Sequence, residues 1–67
     1  MNIPRRVVAL KRDVYRHEEE IERVANLKAA GDEFVLALPQ FVDKYLADIR
    51  VRIAELRAEI GQLESED

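Results

Sequence analysis

Two series of apolar residues constrain this chain more than any other feature. From Val42 they fall at Val42, Leu46, Ile49, Ile53, Leu56, Ile60 and Leu63, with spacings of 4, 3, 4, 3, 4, 3. In the first half Ile3, Val7, Leu10, Val14, His17, Ile21 and Val24 repeat the same spacings, with one polar member. A mean step of 3.5 residues holds each series on one face of an α-helix, and left-handed coiling absorbs the residual drift. The pattern therefore predicts two amphipathic helices that bury one stripe each.

The punctuation residues set the expected boundaries. Asn2 can cap the first helix, with Pro4 in its first turn, where a missing N–H costs nothing. Gly31 follows Lys28-Ala29-Ala30 and reads as a stop. Pro39 suits the first turn of the second helix. The expectation is one domain over 1–67, with a helix over about 3–30, an apolar connection at 31–38 and a helix over about 39–65. Asp32 is a cap in its own right, so 33–37 can form a short helical turn; a single helix from 33 to 65 would instead kink at Pro39.

Charge order argues for an antiparallel arrangement. Arg5, Arg6, Lys11, Arg12 and Arg16 face only Asp13 within residues 1–16, whereas residues 18–22 carry four glutamates and no base. Folding the chain so that opposite positions add to about 69 brings Glu18 and Glu20 near Arg50 and Arg52, Arg5 and Arg6 near Glu64 and Glu66, and Lys11 near Glu59. Each exposed pair is worth only about 0.2–1 kcal/mol, but the order rewards one register and penalises slips.

A chain of 67 residues cannot enclose a core with two helices alone. It has no cysteine, so neither a disulfide nor a thiolate metal site can staple it. Self-association is the remaining remedy. A second series on the second helix, Ala47, Val51, Ala54, Ala58 and Gly61, has small side chains at heptad spacing and would let another helix approach closely. Val8 and Tyr15 widen the apolar face of the first helix as a bundle would require. The expected fold is all-α: a coiled-coil-like antiparallel two-helix hairpin that dimerises into a four-helix bundle.

Residues able to carry chemistry are few. His17 is the only histidine, and it occupies a seam position. It reads as a polar residue that fixes register rather than as a metal ligand or pH switch, so Leu or Ile there should raise stability. Three consecutive glutamates at 18–20 point about 100° apart on a helix and read as a solvated face. Arg5, Arg12, Arg16 and Arg23 form a basic stripe at spacings of 7, 4 and 7, interrupted by Glu19 and Glu22. Nucleophile constellations and glycine-rich phosphate loops are missing, so no catalytic, cofactor or metal residue is assigned.

Composition closes several classes. At 48% hydrophobic and 37% charged, with a net charge of −3, the chain is too apolar for a disordered tail and lacks a global basic footprint for nucleic acid. The longest apolar run, 34–38, is far short of a bilayer span, and the start carries no signal-peptide core. A cytoplasmic protein with no membrane contact is expected. Arg- and Ala-rich content suits a bacterial or phage source.

The expected function is protein–protein interaction without catalysis, as an adaptor, assembly factor or inhibitor. Its expected partners are a second copy and another protein. Phe34, Val35, Leu36, Leu38 and Phe41 are the candidate anchors at the turn, unless they fold over the end of the core as a lid. The alternatives are a nucleic-acid regulator using the arginine stripe and a small helical-dimer enzyme with an Arg/Glu site.

Overall fold

The computed structural model describes residues 4–65, which form three helices and no strand. They are α1 (Arg5–Ala29), α2 (Glu33–Ala37) and α3 (Pro39–Ser65). The class is all-α. Its backbone extends over 48 × 17 × 12 Å, a rod set by the two long helices lying side by side.

The seam residues meet between α1 and α3. Val7, Leu10 and Val14 are buried against Ile49, Ile53, Leu56 and Ile60, with Ile21 and Leu63 packed at the margin. Val7 and Leu56 are sealed completely. Val24 is buried outside this cluster, and His17, Val42 and Leu46 are half-buried. Every described member of both series is thus withdrawn from solvent to some degree. Ile3 lies outside the described residues.

Local chemistry explains where the helices stop. At the end of α1, Gly31 adopts φ +77°, a left-handed conformation that costs residues with a Cβ about 1–2 kcal/mol. The reversal lets Gly31 N–H donate to the Lys28 carbonyl at 3.1 Å and Asp32 N–H donate to the Leu27 carbonyl at 3.0 Å. These are the paired bonds of a Schellman ending, which satisfy carbonyls the helix would otherwise leave open. Asp32 then starts α2 by accepting from the Val35 N–H at 3.1 Å.

The connection at 31–38 is therefore a turn plus a five-residue helix. It does not run on into α3, because Leu38 is driven to φ −127°, ψ 57°. Proline disfavours helical geometry in the residue before it. Pro39 is the first residue of α3, and the Leu38 carbonyl accepts from Val42 N–H at 3.1 Å to open that helix.

Two expectations need correction. Pro4 precedes the first turn of α1 rather than entering it, and its carbonyl accepts from Val7 N–H at 3.0 Å. Asn2, the expected cap, lies outside the described residues. Among the described residues the ion pairs also differ from those expected; Glu66, an expected neighbour of Arg5 and Arg6, lies outside them. Arg6 pairs with Glu59, Lys11 with Glu64 at 3.5 Å, and Arg57 with Glu18 at 2.8 Å, while the Tyr45 hydroxyl donates to Glu20 at 2.8 Å. Arg50 and Arg52 are partners of neither Glu18 nor Glu20.

The reason is geometric. With Val7, Val14, Ile21 and Ile49 in the seam, Arg6, Glu20, Tyr45 and Glu59 line one flank, and Lys11, Glu18, Arg57 and Glu64 line the other. Long side chains on a flank reach diagonally along the partner helix, not straight across. Counting straight across therefore exchanged the partners of Arg6 and Lys11.

Candidate interaction surfaces

The apolar surface concentrates around the turn. Phe34 is 70% exposed, Leu36 56%, Leu38 36% and Phe41 72%, with Tyr45 half-exposed nearby in sequence. Only Val35 of the expected anchors is buried. The lid reading therefore fails for Phe34, Leu36, Leu38 and Phe41. A helix of five residues has one inward face, and Val35 takes it. Several large apolar side chains left in water within twelve residues are unusual for a solvated connection.

The small-residue series of α3 is exposed throughout: Ala47, Val51, Ala54, Ala58 and Gly61 all lie outside the core. Ala54 sits on the rim of a shallow groove with Glu18, Ile21, Arg50, Ile53 and Arg57. A Cβ built on Gly61 would meet nothing within 4 Å, so no contact within this chain requires glycine there.

On α1, Val8 and Tyr15 remain partly to largely exposed and line a shallow groove with Lys11, Arg12 and Arg16. The basic stripe is not continuous. Arg5, Arg12 and Arg16 stand in solvent, but Arg23 donates to Glu20 at 2.5 Å. This bond and the Tyr45 hydroxyl hold the Glu20 carboxyl below the usual carboxylate range. Glu20 in turn raises the affinity of the Tyr45 hydroxyl for its proton. No role for Tyr45 is legible before folding, because a tyrosine between two apolar seam positions carries no signature of a bond across the helices.

His17 is half-buried, and its Nδ1 lies 2.6 Å from the Asp13 carbonyl. A carbonyl only accepts, so Nδ1 carries the proton and donates. His17 also lines a shallow cleft with Arg16, Glu20, Tyr45 and Ile49. Among the described residues, no three His, Asp or Glu side chains cluster in a way that could hold a metal ion, and no helix is long and apolar enough to cross a membrane.

The geometry thus offers three exposed surfaces: the apolar turn, the small-residue side of α3, and the aromatic and basic side of α1. No protein-family profile, curated protein or solved structure matches the chain.

Proposed function

We propose that this chain is a non-enzymatic helical hairpin that works by protein–protein interaction, with the turn as its partner-binding surface. The observation that carries this reading is the exposure of Phe34, Leu36, Leu38 and Phe41 together at the turn. Aromatic and aliphatic anchors of this kind supply most of the energy in protein interfaces once a partner pocket encloses them. The two long helices act as a rigid handle that presents them. In this reading the hairpin also self-associates through one of its outer helix sides, so that two copies assemble four helices, as a core one residue layer thick favours.

The test is affinity capture from the native host with the wild type and with Phe34→Ser/Phe41→Ser. The double variant should keep its helical content and melting temperature, because neither side chain is in the core. Proteins held by the wild type and released by the variant support the reading. An identical set of captured proteins overturns it.

One observation favours a second reading, association with single-stranded nucleic acid. Tyr15 offers a stacking face beside Lys11, Arg12 and Arg16. That reading demands oligonucleotide binding that weakens steeply with added salt. An absence of binding at low salt removes it.

A further inference from the structure

We infer that a second copy of this chain docks along the outer side of α1, antiparallel to it, with the twofold axis near residue 17. The inference rests on the self-association proposed above and says where it occurs. Arg5, Val8, Arg12, Tyr15, Glu19 and Glu22 are all exposed and step by 3, 4, 3, 4, 3. They form a second continuous stripe on α1, pointing away from the buried seam. Bases occupy its first part and acids its last; Val8 lies between the two bases, and Tyr15 lies between the bases and the acids.

The part of the stripe from Arg12 to Glu22 is self-complementary. When a copy is turned end over end about residue 17, residues 12–16 of one chain lie along residues 18–22 of the other. Arg12 then stands opposite Glu22 of the partner subunit, and Tyr15 opposite Glu19 of the partner subunit. The twofold axis repeats each pair, so every favourable contact counts twice. Tyr15, 64% exposed in the single chain, gains a wall against which to bury its ring.

Other placements of a second copy fare worse. Stacking two rods broad face to broad face would bury either the Lys11–Glu64 and Arg57–Glu18 pairs or the Arg6–Glu59 pair and the Tyr45–Glu20 bond at the centre, where desolvation outweighs their attraction. Applying the same operation to α3 about Ala54 sets Arg50 opposite Ala58 of the partner subunit and Arg57 opposite Val51 of the partner subunit, so the small-residue series gains no charge pair. Nucleic acid laid along α1 would run from the basic segment onto the four glutamates at 18–22. A protein surface with the opposite charge order suits both halves, and residues 12–22 of this chain carry one.

Sedimentation equilibrium over a concentration series at low salt tests the inference with the wild type, Arg12→Glu, Glu22→Arg, Ala54→Glu and an equimolar mixture of the first two variants. The wild type should dimerise, and added salt should weaken the dimer. Each α1 variant alone should associate about tenfold more weakly, since two pairs are reversed at once. Mixing the two variants should restore association, which also shows that both are folded. A dimer that ignores the α1 variants but is broken by Ala54→Glu overturns this placement and leaves self-association standing. A wild type that stays monomeric overturns both. A monomer that binds a single-stranded oligonucleotide through Arg12 also overturns the inference and assigns the patch to nucleic acid.

Discussion

Glu20 shows how one side chain joins the two long helices. Its carboxylate accepts from Arg23 one turn along α1 and from the Tyr45 hydroxyl across on α3. Both bonds favour the ionised form, with Arg23 the larger cause, so the folded chain lowers the Glu20 pKa. A carboxyl whose pKa falls on folding contributes stability above its unfolded pKa and loses it as pH drops through the folded value. Tyr45→Phe should therefore raise the Glu20 pKa, and Arg23→Gln should raise it further, as read by carboxyl-carbon NMR titration. If the pKa is the same in the wild type and Tyr45→Phe, the tyrosine bond is of no consequence in solution. Nearby, His17 donates to a backbone carbonyl of its own helix, so a polar residue sits in an apolar seam without an unmet bond. Its position was legible from the heptad spacing. Its partner was not, because a bond back to residue 13 depends on the rotamer.

At the scale of elements, two glycines in similar helical surroundings do opposite things. Gly31 ends α1 at φ +77°, where a Cβ has room but the backbone is strained. Gly61 lies within α3, without that strain and with empty space around it. Gly31→Ala should lower stability by about 1 kcal/mol through the backbone alone. Gly61→Ala should raise it by up to about 1 kcal/mol, because alanine loses less freedom in a helix. Chemical denaturation of the two variants checks both signs, and a loss of stability in Gly61→Ala would mean that a neighbouring chain needs the gap. The short helix α2 follows from signals that were all present in the sequence: the Asp32 cap, the Gly31 stop and the Pro39 break. Which of its residues turned inward was not among them, since five residues are too few for periodicity to select a face.

The whole molecule is a rod whose core is a single row of side chains between two helices. Stability of roughly 0.05–0.15 kcal/mol per residue leaves a chain of this size little reserve. Leu56, sealed at the centre of the row, should therefore matter more than any exposed anchor. Leu56→Ala should cost about 2–5 kcal/mol and melt much of the helix. Phe41→Ala should leave the melting temperature nearly unchanged. Circular dichroism during heating separates the two, and equal losses would mean that the turn is part of the core.

The helices, their stops and the stripe each one buries were legible in the order of residues alone, because these depend on spacing and on backbone preferences a few residues long. That order also dictated that charge would oppose charge along the rod. Tertiary structure decided which charges meet, because flanking side chains reach diagonally by an amount set by the packing of the two helices. It decided too that Val35 goes in while Phe34, Leu36, Leu38 and Phe41 stay out. A residue's hydrophobicity says that burial is favourable, but only the arrangement of neighbouring elements says whether there is anything to be buried against.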